Sequence, residues 1–220
     1  MAETKFKFKK CELLPNEGSS LDEKYELLGG GPIVDYYESI DSPTVSMNIT
    51  FIDIDQVISR KGISGGEHID LTIEIDGFDD FKLTKKKHNL MLNSVRNVIT
   101  ETNKQVATLE FVSVESIINE TARVNKKFTG NVSQTVSELL VSYKKGIQTK
   151  KKLDKHDASN SYSFIGNLKR PFDTIQWLCP KSQSSAKNFG FLFYENFDGY
   201  HFKSIEKLLE QEPSFTYTHT

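Results

Sequence analysis

His68-Ile69-Asp70-Leu71-Thr72-Ile73-Glu74-Ile75-Asp76 decides the reading of the first half of the chain. Ile69, Leu71, Ile73 and Ile75 fall on one parity, and His68, Asp70, Thr72, Glu74 and Asp76 on the other. Sustained period two predicts a strand with one apolar and one polar face. Asp76-Gly77 is a tight-turn dipeptide, and Phe78 to Leu83 reads as the returning strand. Outward from there, Val45, Met47, Ile49 and Phe51 alternate with polar residues, and then Ile52 and Ile54 take the other parity. That slip predicts a bulge, or a strand covered on both faces. Asn89 to Thr100 and Gln105 to Val114 form a further pair joined by the polar Glu101 to Lys104. These segments make at least five strands between residues 33 and 114, spaced as in sandwiches and barrels.

The period changes in the second half. Val132, Val136, Leu139, Leu140 and Tyr143 recur as one helical face, with Asn131 placed to cap it and Gln134 to reach back. Pro171 opens a second helix whose Phe172, Ile175 and Leu178 share a face, and Pro180 ends it. Phe189 to Tyr194 and Tyr200 to Lys203 read as a hairpin across Asn196-Phe197-Asp198-Gly199. Ser204 to Leu209 follows as a short strand or helical turn, and Lys144 to Ser163 as a polar loop. The fold class is therefore α+β, mainly β: a β domain followed by a small α+β domain.

Composition narrows the class. The 220 residues hold 37% hydrophobic and 26% charged residues, enough to fold. The net charge of −2 argues against a protein that wraps duplex DNA. It also hides opposed patches: residues 67–80 hold six acids and no base, whereas residues 144–155 hold six lysines and one aspartate. No apolar run is long enough to span a membrane as a helix. The N-terminal Lys5-Phe6-Lys7-Phe8-Lys9 alternates like a strand and lacks the apolar region of a signal peptide. Cys11 and Cys179, far apart, predict a reducing compartment and no disulfide framework. The sequons at Asn48, Asn119 and Asn131 then read as coincidence.

No chemistry-bearing motif emerges. Gly29-Gly30-Gly31-Pro32 is not followed by Lys-Ser/Thr or by a helix, so it reads as a loop needing positive φ. The five histidines are scattered, and no Cys-x-x-Cys is present. Asp53 and Asp55 share a strand face and read as solvated. Gly62-Ile63-Ser64-Gly65-Gly66 is a tight turn into the alternating strand and not a strand-to-helix turn, so it reads as no nucleophile elbow, and Cys179 reads as a buried thiol. The expectation is a non-enzymatic protein with no cofactor, no metal and no sequence-specific nucleic acid. The runs Lys85-Lys86-Lys87 and Lys150-Lys151-Lys152 lack the interleaved aromatics of single-strand binders and read as solvated loop tips, with Lys85, Lys86 and Lys87 as a candidate protein-contact loop.

Several phrases carry a family resemblance by their order: Tyr37-Glu38-Ser39-Ile40-Asp41-Ser42-Pro43-Thr44, then Ile63-Ser64-Gly65-Gly66-Glu67-His68-Ile69, then Asn119-Glu120 and Phe128-Thr129-Gly130-Asn131. Lys169-Arg170-Pro171-Phe172-Asp173-Thr174-Ile175-Gln176-Trp177-Leu178 and Gly190-Phe191-Leu192-Phe193-Tyr194 complete the series. From about residue 36 onward the chain resembles the baseplate hub proteins of contractile-tailed bacteriophages, nearest to their marine myovirus-like branch. The resemblance implies a tail-tube-type β-barrel over residues 36–114, an inserted α+β domain over 115–212 and a strand over 213–220 returning to the barrel. Residues 1–35 precede it as an N-terminal strand and loop.

The resemblance also implies a virion structural protein, assembled in the host cytoplasm and placed in the tail baseplate. There it would form a ring as a symmetry adapter between the tail tube, or its initiator, and the central spike. Hub subunits form trimers and carry two barrels each, whereas this sequence offers strands for one. A truncated or split chain, or a ring of six copies, would follow. In such a ring the polar face of the 68–76 strand (His68, Asp70, Thr72 and Glu74) is expected to line the lumen and repel passing DNA. Two other classes remain open: the spike-base module of a bacterial contractile secretion system, and a nucleic-acid-binding β-barrel using the lysine runs.

Overall fold

The computed structural model describes residues 6–18, 21–63, 65–77, 79–100, 105–212 and 216. The chain forms two compact units, one built from residues up to Glu38 with Thr44–Ile117, the other from Ser39–Pro43 with the chain from Ile118 onward.

In the first unit the alternating Lys–Phe segment finds its partner in the acidic strand. β1 (Phe6–Leu14) runs antiparallel to β5 (His68–Ile75), and Cys11, Leu13, Ile69 and Leu71 all turn inward. β2 (Tyr25–Glu26) pairs with β1, and β3 (Ile33–Tyr37) with β4 (Ser46–Asp53). After α1 (Val57–Lys61) come β5, β6 (Phe81–Leu83), β7 (Leu90–Thr100) and β8 (Gln105–Ser113). The sheet runs β2-β1-β5-β7-β8-β4-β3, with β6 also on β5. The N-terminal strand is thus part of this sheet.

Register shifts at Phe8/Lys10 in β1 and at two places in β7 add the local twist that curls a sheet. Tyr36 of β3 meets Phe81 of β6 edge to face across the interior, ring centroids 5.5 Å apart. Met47, Ile49, Phe51, Leu90, Leu92, Leu109 and Phe111 fill the space between. Among the described residues no ladder joins the two ends of the sheet. The 3-10 turn Leu28–Gly30 fills the gap instead. Leu27 N–H donates to Cys11 O at 2.8 Å, and Gly30 lies so near the Ile52 carbonyl that a Cβ would stand 2.4 Å from its oxygen.

The parity slip expected in β4 is not a bulge. Met47, Ile49, Phe51 and Asp53 occupy successive inward positions, and Ile52 and Ile54 are exposed. An aspartate takes an inward place because α1 needs an acceptor: Asp53 receives Val57 N–H at 2.8 Å and Ile58 N–H at 2.9 Å. Its carboxylate is buried and supplies the cap that Gln56 does not. The solvated reading of Asp53 is therefore corrected.

The second unit begins within α2 (Val114–Thr121) and continues through β9 (Lys127–Phe128) to α3 (Val132–Ser137). Asn131 caps α3, its Oδ1 accepting from Ser133 N at 2.9 Å and Gln134 N at 3.4 Å. The helical face continues through a π-helical turn, Glu138–Ser142, so Val132, Val136, Leu139 and Leu140 are all buried. β10 (Leu153–Lys155) lies inside the stretch expected to be a loop. It pairs in parallel with β13 (Gly199–Ser204), which is hydrogen-bonded on its other side to β12 (Phe191–Asn196). Parallel pairing at an edge leaves no hairpin signal in the sequence.

β11 (Phe164–Ile165) pairs with β9. α4 (Pro171–Leu178) packs Phe172, Ile175 and Leu178 onto the core. The α-helix ends at Leu178, before Pro180, which sits in a following 3-10 turn, Cys179–Lys181. α5 (Ile205–Leu209) is capped by Ser204 Oγ, which accepts from Lys207 N. The strand expected over residues 213–220 falls, apart from residue 216, outside the described residues.

Candidate functional site

The polar face of β5 is a mixed-charge ladder and not a free acidic patch. Asp70 is held by Lys10 at 3.0 Å and accepts Lys85 N–H at 3.0 Å. Glu74 pairs with Lys9 at 2.7 Å, and Glu12 bridges Lys10 and Lys24. The bonds from Lys24 and Lys10 hold the Glu12 carboxyl below its ordinary range, while bonds to Asp70 and Glu12 raise the Lys10 ammonium. The β1 lysines thus neutralise Asp70 and Glu74, two of the six acids in residues 67–80, and Lys82 of β6 pairs with Asp80. Thr72 is half-buried opposite Lys10. His68 is 3% exposed, its Nδ1 lying 3.2 Å from Leu90 O, and burial pushes its pKa down.

Lys85, Lys86 and Lys87 are exposed on the turn between β6 and β7. That turn is fixed from within: His88 Nδ1 accepts Thr84 N–H at 3.1 Å, and Thr84 Oγ1 accepts Lys87 N–H at 3.3 Å. The second lysine run divides. Lys150 and Lys152 are exposed, but Lys151 is buried in an ion pair with Glu195 at 2.6 Å, the side chains 6% and 2% exposed. Lys151 is therefore not a solvated tip.

Two phrases that carried the family resemblance meet at the start of α4. Asn119 Oδ1 accepts Phe172 N–H at 2.9 Å, and both Glu120 oxygens lie within 2.9 Å of Arg170 Nη1. Arg170 Nε donates to Asp173 at 2.9 Å. Asn119 is thus a buried helix cap, 6% exposed, which closes it to glycan attachment. No local signal announces this, because its partner is 53 positions away.

Cys11 and Cys179 are free, and burial pushes both thiols up to about 12, so neither supplies a thiolate. Among the described residues no group of His, Cys, Asp and Glu is placed to hold a metal ion. Glu67 is fully buried, and burial raises its pKa against the backbone N–H groups of Glu67 and Gly65, which lower it.

A groove of about 420 Å3 lies where the 3-10 turn meets β4. Phe51, Ile52 and Ile54 give it an apolar wall, and Glu26 and Asp55 give it carboxylates. Tyr25 OH donates to Asp55 at 3.2 Å, and burial and then this aspartate push the phenol up to about 12. Only the glycine run 29–31 hinted at this place in the sequence.

No protein-family model and no curated protein sequence matches the chain. Solved structures do. A prophage MuSo2 43 kDa tail protein from Shewanella oneidensis superimposes with a TM-score of 0.54 at 8% identity, over 88% of this chain and 53% of its own. A tail protein from Neisseria meningitidis MC58 gives 0.51 at 10% identity, over 90% of this chain and 51% of its own. The fold is that of phage tail proteins. The chain spans about half the length of those two tail proteins. The E. coli c3393 protein, described as a type VI secretion component similar to T4 tail proteins gp27 and gp5, gives 0.46 at 12% identity, over 90% of this chain and 48% of its own.

Proposed function

We propose that this chain is a non-catalytic structural subunit of a contractile-tail baseplate hub. It assembles with copies of itself into a ring and contacts a tail tube, or tube-initiating, protein on one side and a central spike on the other. The observation that carries this reading is the shared fold with two phage tail proteins over 88% and 90% of the chain. In this reading the first unit forms the wall of the ring. The polar ladder of β5, with Asp70, Thr72 and Glu74, faces the lumen. Because β1 lysines neutralise that ladder, it presents DNA with a hydrated surface of low net charge.

Light scattering on the purified chain, alone and mixed with its tail neighbours, tests the proposal. A three- or sixfold assembly, or a stable complex with a tube or spike protein, supports it. A strict monomer that binds neither overturns it. Capture of a secretion-machine spike in place of a tail protein would move the same fold to the secretion class. Salt-sensitive binding to DNA without self-assembly would favour the nucleic-acid class.

A further inference from the structure

The basic loop of the second unit is held rigidly with its lysines outward. Gly146 is pinned so tightly that a Cβ would stand 2.3 Å from Leu139 O. Ile147 N–H donates to Leu139 O at 3.1 Å, Thr149 N–H to Leu140 O at 2.9 Å, and Tyr200 N–H to Lys152 O at 2.8 Å. Ile147 is buried, and Lys151 is anchored inward by Glu195. Lys144, Lys145 and Lys150 are left exposed, with no ion pair among the described residues. Their positive charge is concentrated and preorganised, so little entropy is lost when a partner meets it.

The first unit offers the complement. Its residues 17–38 and 44–55 hold eight acidic residues against one lysine, Lys24, which is already paired with Glu12; Asp53 is taken up as the buried cap of α1, and Asp22 pairs with Lys61. The groove beside the 3-10 turn has the chemistry of a lysine receptor. Phe51, Ile52 and Ile54 suit the methylene stem, and Glu26 and Asp55 suit the ammonium. β3 borders this region as the last strand of the sheet, with Ile33 63% exposed and Asp35 on the same exposed parity. An exposed strand edge with apolar side chains is a surface that a partner normally covers.

We propose that this groove receives the lysine loop of a second copy of the chain. The contact is head to tail, with Glu26, Asp35 and Asp55 of one copy facing Lys144, Lys145 and Lys150 of the next. It rests on the self-assembling reading above and names the surfaces that make the assembly. Two different patches on each copy give a heterologous contact, which propagates and closes when the rotation between neighbours permits. Charge complementarity also sets the register and speeds encounter, and makes the contact weaken as salt rises.

The test uses the full chain in three forms: wild type, a Lys144→Glu/Lys145→Glu/Lys150→Glu variant, and a Glu26→Lys/Asp35→Lys/Asp55→Lys variant. Self-association is read by sedimentation at low and high salt. Each variant alone is expected to associate about tenfold or more weakly than wild type at low salt. An equimolar mixture is expected to recover association, because the reversed groove meets the reversed loop. Two results overturn the contact while leaving the ring reading intact: wild-type assembly that either triple substitution fails to weaken, or weakened variants that mixing does not restore. A wild-type chain that stays monomeric at low salt overturns both. Loss of DNA binding in the lysine variant, with self-association untouched, assigns the loop to a polyanion and also overturns the contact.

Discussion

Lys151 and Glu195 form a buried ion pair, Nζ to Oε1 2.6 Å, which ties the basic loop to β12 of the α+β sheet. The lysine ammonium also lies 6.0 Å from the ring centroid of Tyr200, a side chain of the same core. Removing one partner strands the other in a low dielectric. Lys151→Met alone is expected to cost about 3–5 kcal/mol in denaturant unfolding. Lys151→Met with Glu195→Leu should recover most of that loss, since an apolar pair of similar volume needs no desolvation. A double variant as unstable as the single one would show that the two residues do not act as a pair.

Asn119 and Phe172 give a second test. Asn119→Ala leaves the buried Phe172 N–H without its acceptor and is expected to cost about 1–3 kcal/mol. Asn119→Asp keeps an oxygen in place, beside a helix N-terminus that favours negative charge, and should lie closer to wild type. Chemical denaturation of the two variants side by side separates lost acceptor from lost volume.

Closure of the curled sheet depends on one glycine. Gly30→Val places a branched side chain where even a Cβ would be 2.4 Å from Ile52 O, so the 3-10 turn must move off β4. A loss of about 1–3 kcal/mol is expected. Gly29→Ala meets nothing within 4 Å and should be nearly neutral. Equal melting temperatures for the two variants would remove the close approach as the explanation.

Burial lowers the pKa of His68, His156 and His201 below the ordinary 6.5. The unfolded chain then takes up these protons first. Their contribution is intact above pH 6.5 and is lost as the pH falls from there through the folded-state values. Glu67 works in the opposite sense. Its raised pKa means that no penalty exists below its ordinary 4.5, and that one accrues as the pH climbs towards the folded value. Glu67→Gln is therefore expected to raise the melting temperature at neutral pH and to leave it unchanged in acid below 4.5. A variant equally stabilising at both pH values would point to packing and not to ionisation.

The sequence by itself determined those strands and helices whose buried face repeats over several turns or pleats. Ile69 and Leu71 on β5, Val132 and Leu139 on α3 and its π-helical extension, and Phe172 and Ile175 on α4 are legible because the core imposes a period on its neighbours. The sequence's change of period after residue 114 separates a β-rich half from one that mixes helices and strands. The tertiary structure alone decided what the polar residues do, because their partners are distant in sequence and leave no period. Asp53 looked solvated and caps α1 from an inward position. The acids of β5 looked like a bare patch until β1 laid Lys9 and Lys10 across them. Lys151, one of three adjacent lysines, turned inward only because Glu195 stood 44 positions away to receive it. Charge carries little local information, since water satisfies it as readily as a partner does, and only the fold says which of the two is present.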